Sequence, residues 1–220
     1  MFGSPNDQPG SVWVKICGIC SARDARAAVD FGADAIGLNS FRGSRRFLDI
    51  VSAADWIAAL PDALGKIAVM VNPTFDEAMS VARLPFISGL QLHGNESPEF
   101  CRALADEGVR FAKALPVADE DSLADLPSFS SGVVVLDSAK TVLFGGSGTP
   151  FPWPLAQSFV QSHSHLKVIL AGGLTPQNVV EAITAVRPFG VDVTSGVEAS
   201  LGRKDHGRLR AFIEAARSAH

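Results

Sequence analysis

The residues best placed to do chemistry begin with a thiol. The run Val12-Trp13-Val14-Lys15-Ile16 reads as a buried strand and ends in Cys17-Gly18-Ile19-Cys20; Ser21-Ala22-Arg23-Asp24 then reads as a helix start. A thiol at the C-terminal end of a strand sits where parallel α/β proteins usually keep their active groups. Cys17 can serve as a catalyst, as half of a C-x-x-C redox pair with Cys20, or as a buried structural thiol. Asp137 ends the apolar run Val133-Val134-Val135-Leu136. There it can donate or accept a proton at the site, or simply cap a helix or pair with a cation. Arg45 and Arg46 follow Ser44 in a polar loop. An arginine at such a mouth suits a carboxylate through its two-pronged donor geometry, although Arg45 reads more readily as a solvated surface residue. His93, in Gln91-Leu92-His93-Gly94, reads first as a structural histidine and second as a substrate contact.

Two glycine-bearing loops point to phosphate. Leu170-Ala171-Gly172-Gly173-Leu174-Thr175-Pro176 follows one strand-like run, and Val193-Thr194-Ser195-Gly196-Val197-Glu198 follows the next. Glycines let the backbone approach a ligand closely, and its N–H groups can hold an anion without a lysine. A single Gly-Gly could be no more than a tight strand-to-helix turn. Glycines in both loops favour phosphate binding.

These groups need a scaffold that gathers them. Strand-like runs occupy residues 12–16, 35–38, 66–71, 87–92, 109–115, 133–136, 166–170 and 191–193. Amphipathic stretches lie between them, at 22–31 and 50–60 and after 73–77, 97–99 and 175–178, with a last helix over about 205–216. Ser97-Pro98-Glu99 places a capping serine before a first-turn proline, and Thr175-Pro176 reads the same way. The strand runs are apolar throughout, as strands covered on both faces should be. About eight βα units in one chain predict a single (β/α)8 TIM barrel, α/β in class, with its phosphate site in loops 7 and 8. On that fold Cys17, Asn39, Arg46, Asn72, His93, Lys113, Asp137, Gly172, Gly173 and the stretch from Asp192 to Gly196 all fall at one rim.

Composition agrees and excludes other classes. The 220 residues are 47% apolar and 19% charged, with a net charge of −4. That suits one large core and argues against a nucleic-acid or membrane-surface binder. No apolar run approaches the roughly 20 residues that cross a bilayer. Residues 1–11 are polar and rich in Gly and Pro and read as a loose tail, leaving 12–220 as the barrel. Three cysteines form no disulfide framework, which favours a reducing cytoplasm. A four-cysteine zinc site is excluded, and no histidine pair has metal-ligand spacing. A thioredoxin-type domain is about half this length and carries no such phosphate loops.

Taken in order, the segments resemble those of the phosphoribosylanthranilate isomerase family. They are Lys15-Ile16-Cys17-Gly18-Ile19, Gly32 to Leu38, Ser44-Arg45-Arg46-Phe47, Val71-Asn72, Gln91 to Gly94, Lys113-Ala114, Leu136-Asp137-Ser138 and Gly145-Gly146-Ser147-Gly148. Phe151, Trp153, Ala171 to Leu174, Asp192 to Glu198, Gly202, Lys204 and Asp205 follow. The resemblance implies a cofactor-free, metal-free Amadori rearrangement of N-(5-phosphoribosyl)anthranilate in tryptophan biosynthesis, by a monomer or homodimer. It implies Asp137 as general acid at the ribose ring oxygen and Cys17 as general base at C2. It gives Arg46 the anthranilate carboxylate, and Gly172, Gly173, Thr194, Ser195 and Gly196 the phosphate. His93 and Asp192 become mouth residues near the substrate. The chain departs from the family pattern in three places. Cys20 stands where Thr or Ser is usual, so a Cys17–Cys20 disulfide could switch off the base; Pro152 replaces an acidic residue; and residues 39–43 carry an extra Arg42.

Overall fold

The computed structural model describes residues 11–117, 129–138 and 153–219. Eight parallel strands close into a barrel in chain order. They are β1 (Trp13–Ile16), β2 (Ala35–Asn39), β3 (Gly65–Met70), β4 (Gly89–Leu92), β5 (Phe111–Val117), β6 (Val133–Ser138), β7 (Lys167–Leu170) and β8 (Gly190–Val193). The ring closes by β1 pairing with β8, with Lys15 opposite Asp192 and Ile16 opposite Val193. The barrel expected from the sequence is therefore observed.

Alternation along each strand separates two cores. Val14, Ile16, Ile36, Leu38, Leu90, Leu92, Val134 and Leu136 pack outward against the helices. Trp13, Ala35, Ile67, Ala112, Ala114, Val135 and Ile169 form a separate cluster that fills the barrel. The inner set is mostly small, which leaves room for Trp13 at the bottom and for the buried Lys15 above it. The apolar strands hid this division in the sequence, because both faces are buried and both read as hydrophobic.

The helices are α1 (Ala22–Asp30), α2 (Ala54–Ala58), α3 (Phe75–Ala82), α4 (Pro98–Asp106), α5 (Trp153–Ser162), α6 (Val179–Val186) and α7 (His206–Ser218). Ser21 caps α1 by accepting from the Asp24 N–H, and Ser97 caps α4 with Pro98 in the first turn. Thr74 and Glu77 form a reciprocal capping box on α3. Two helices differ from expectation. α2 is only five residues long, and α6 starts at Val179 rather than at Thr175-Pro176. Asn178 explains the second case. Its side-chain oxygen accepts from the Thr175 N–H at 2.8 Å and its amide donates to Gly173 O at 3.0 Å, so these residues form a turn.

After β8, a 3-10 turn (Ser195–Val197) leads into a small antiparallel hairpin, β9 (Glu198–Ser200) and β10 (Arg203–Lys204), which the strand pattern did not anticipate. α7 returns to the N-terminal rim. Its Arg217 donates to Val12 O, to Gly32 O at 2.9 Å, to Asp34 Oδ2 at 2.7 Å and to the Ser11 hydroxyl at 3.1 Å. The tail expected before residue 12 lies, apart from Ser11, outside the described residues.

Candidate active site

Strand ends β1, β2, β4, β6, β7 and β8 surround a cavity of about 340 Å³ at the C-terminal mouth. Cys17, Arg46, His93, Asp137, Gly172, Gly173, Asp192, Thr194 and Ser195 all line it. Parity explains why. Cys17, Gln91, His93, Asp137 and Asp192 fall in phase with the inward set of their strands, so each side chain turns into the barrel. Lys113 falls out of phase. It lies on the outer side, buried, with its ammonium on Glu96 Oε2 at 2.8 Å and Gly94 O at 2.7 Å. Asn72 joins the same structural knot, its side-chain oxygen accepting from the Asn95 N–H at 2.6 Å. Both lie at the expected rim, and neither lines the mouth among the described residues.

At the end of β1, Cys17 packs against Gly37. A Cβ on Gly37 would lie 2.7 Å from Cys17 Sγ and 3.0 Å from Lys15 Nζ, so glycine is required for space. Lys15 donates to Asp192 Oδ2 at 2.8 Å. Burial alone would lower the Lys15 ammonium, but the charges of Asp192 and Cys17 outweigh it and hold the group above its ordinary value. Lys15 is thus a buried cation beneath the thiol. The sequence reading assigned it no role, although a lysine inside an apolar strand was the available signal. Asp192 Oδ1, also buried, has no hydrogen-bond partner among the described residues. Asp192 is one of the residues that line the cavity.

At the end of β6, Asp137 Oδ2 lies 3.3 Å from His93 Nε2, and Oδ1 accepts from the Ser138 N–H at 2.8 Å. The Gln91 amide lies 3.0 Å from His93 Nδ1. With that amide donating, Nδ1 is the acceptor and Nε2 carries the hydrogen that faces Asp137. Gly172 closes this corner. Its φ is +79°, and a Cβ there would sit 2.8 Å from Asp137 Oδ1.

The arginine side contains partners that sequence reading missed. Arg46 crosses over Gly18, where a Cβ would come within 2.7 Å of its Cδ. Its Nε and Nη2 each donate at 2.7 Å to separate oxygens of Glu198. Burial works to raise the Glu198 carboxyl; the Arg46 hydrogen bonds and the Lys204 and Arg46 charges prevail and hold it below its ordinary value. Lys204 is buried, and burial lowers its ammonium despite the opposing pull of Glu198. It donates to Cys17 O at 2.6 Å and Thr194 O at 2.9 Å. Arg45 stands exposed at the rim, and Arg42 lies over the Phe47 ring, 5.5 Å from its centroid.

Gly196 alone of the expected phosphate residues is not on the cavity wall. A Cβ there would approach Leu174 O to 2.0 Å, so this glycine lets loop 8 pack on loop 7. Cys20 turns away from the mouth. Its thiol reaches Gly18 O and Arg46 O at 3.6 and 3.5 Å, burial raises its pKa, and it and Cys17 are free thiols. The glycine segment 145–148, Phe151 and Pro152 lie outside the described residues. A larger and more open depression of about 490 Å³ lies at the opposite rim, around Arg110, Ser131, His165 and Lys167. Neither the strand-end thiol and carboxylates nor the glycine loops reach it.

The sequence and the fold are similar to those of known proteins. Residues 14–215 match the family described as N-(5'-phosphoribosyl)anthranilate (PRA) isomerase. The N-(5'-phosphoribosyl)anthranilate isomerase of Magnetococcus marinus is 41% identical over 209 residues, which cover 95% of this chain and 97% of that protein. The crystal structure of the Thermotoga maritima phosphoribosyl anthranilate isomerase superposes with a TM-score of 0.85 at 38% identity, covering 93% of this chain and 98% of that one. A further isomerase structure, a complex with reduced 1-(o-carboxyphenylamino)-1-deoxyribulose 5-phosphate, superposes with a TM-score of 0.81 at 34% identity, covering 93% and 98%. With that coverage at both levels, the chain belongs to the phosphoribosylanthranilate isomerase family.

Proposed function

We propose that the mouth of this barrel isomerises N-(5-phosphoribosyl)anthranilate to 1-(2-carboxyphenylamino)-1-deoxyribulose 5-phosphate, with Asp137 as general acid and Cys17 as general base. One observation carries the assignment: the two groups project from β1 and β6 into one cavity that glycine-bearing loops 7 and 8 also border. Asp137 gives a proton to the ribose ring oxygen as the C1–O bond breaks, and the anilino nitrogen's electron pair forms the iminium. Cys17, as thiolate, then takes the C2 proton, whose electrons flow into the iminium to give an enolamine. Protonation at C1 with loss of the C2 hydroxyl proton yields the ketone, and return of the proton held by Cys17 to Asp137 restores both groups, so composition and oxidation level balance within one molecule. Lys15 supplies a positive charge against the thiolate, and Asp192 Oδ1 is an acceptor for a sugar hydroxyl. His93 steadies Asp137. Backbone N–H groups of Gly172 and Gly173, with Thr194 and Ser195, face the phosphate; Gly196 sets the loop that presents them. Arg46 takes the anthranilate carboxylate.

The reading extends to place and assembly: a cytoplasmic enzyme acting as monomer or homodimer, in keeping with its free thiols. No described helix is long and apolar enough to cross a membrane. The test follows the fluorescence of phosphoribosylanthranilate as it is consumed. Cys17→Ala and Asp137→Ala should each lower kcat by about 10²–10⁴-fold while leaving the circular dichroism spectrum unchanged. Near-normal kcat in either folded variant removes that residue's role.

A further inference from the structure

We propose that Glu198 is a positioning residue for the substrate carboxylate, holding one edge of Arg46 so that the remaining donors face the mouth, with Lys204 anchoring the unit. The inference rests on the reading of Arg46 as the carboxylate grip.

Arginine is a long side chain, and fixing it for recognition costs rotamer entropy unless another contact holds it already. Here the holding contact is in place. Nε and one Nη2 hydrogen are committed to the two oxygens of Glu198. Three N–H groups remain, two on Nη1 and one on Nη2, and these suffice for a second two-pronged carboxylate contact. Arg46 lines the cavity while Glu198 lies behind it, 8% exposed. The glutamate therefore acts through the arginine.

Glu198 is itself fixed. It accepts from the Gly202 N–H at 3.3 Å and from Lys204 Nζ at 3.5 Å, and it is the cross-strand neighbour of Lys204 on the β9–β10 hairpin. The Lys204 ammonium also holds Cys17 O and Thr194 O. One small hairpin thus ties the carboxylate grip to the strand end that carries the base and to the eighth loop.

The test compares two ligands: reduced 1-(o-carboxyphenylamino)-1-deoxyribulose 5-phosphate and the same compound without its carboxyl group, titrated calorimetrically. Glu198→Gln should weaken the carboxylated ligand by about tenfold or more, as expected for breaking a buried charge pair. It should leave the other ligand within about twofold. In turnover it should raise KM while kcat stays within about threefold, and in an Arg46→Met background it should add nothing. Equal weakening of both ligands, or of neither, overturns the proposal. Should Glu198→Gln not fold, Glu198→Asp must show the same ligand split, and its absence has the same force. A wild-type protein that binds both ligands equally, with Arg46→Met also silent, removes the Arg46 reading and this inference with it. A wild type that discriminates, beside a silent Glu198→Gln, removes the inference alone.

Discussion

Lys15 is the residue whose environment changes most between sequence and structure. Its ammonium is fully buried, satisfied by Asp192 and set below the Cys17 thiol. Replacing it with Met leaves Asp192 as an uncompensated buried carboxylate, so Lys15→Met should lower stability by about 3–5 kcal/mol, measured by urea unfolding. An unchanged midpoint would show that the pair is not ionic. Glu198 adds a pH dependence. Its folded-state pKa is depressed below 4.5, so the stability it contributes is complete above 4.5 and is lost as pH falls through the lower folded value. Glu198→Gln should therefore flatten the acid limb of the pH–stability curve, and an unaltered limb contradicts the assignment. Cys17 and Asp137 were legible as candidate groups at strand ends, and Arg46 as a candidate in the polar loop after β2. Glu198 and Lys204 were not, because a short hairpin of polar residues looks like any surface loop until it folds over Arg46.

At the scale of elements, the inner face of β2 and the eighth loop carry the sharpest constraints. Gly37→Ala would put a methyl group 2.7 Å from Cys17 Sγ and 3.0 Å from Lys15 Nζ. The strand would survive and the thiol would shift, so kcat should fall by about 10²-fold, the cost expected of a roughly 1 Å misplacement. A variant with normal kcat would show that the thiol's position is not critical. Gly196→Ala meets the Leu174 carbonyl instead and should separate loop 8 from loop 7. Inhibition by inorganic phosphate should weaken by about tenfold, equivalent to about 1.4 kcal/mol; unchanged inhibition places the phosphate elsewhere. Helix starts at Ser21, Thr74 and Ser97 were readable because capping is local. The start at Thr175-Pro176 misled because Asn178 bonds back to Thr175 N and Gly173 O, a choice that propensity alone does not settle.

At the scale of the molecule, β1 must pair with β8 across the whole chain, and Arg217 of α7 ties the residues just before β1 to those just before β2. Arg217→Ala removes its bonds to Asp34, Gly32, Val12 and Ser11 far from the mouth. A loss of about 2 kcal/mol should lower the thermal midpoint by about 4–8 °C, with kcat unchanged. A fall in kcat at constant midpoint would mean that the two rims are coupled. The order of βα units, the single barrel and the location of a thiol, a carboxylate and two glycine loops at one rim were determined by the sequence itself. Strand runs, caps and turn residues act over a few neighbours, and they sum to one topology. Inward or outward direction was decided only by tertiary structure, since strands buried on both faces carry no polar alternation. The same holds for the partners. Lys15 finds Asp192 across 177 residues and Arg46 finds Glu198 across 152, and separations of that size become contacts only when the ring of strands closes.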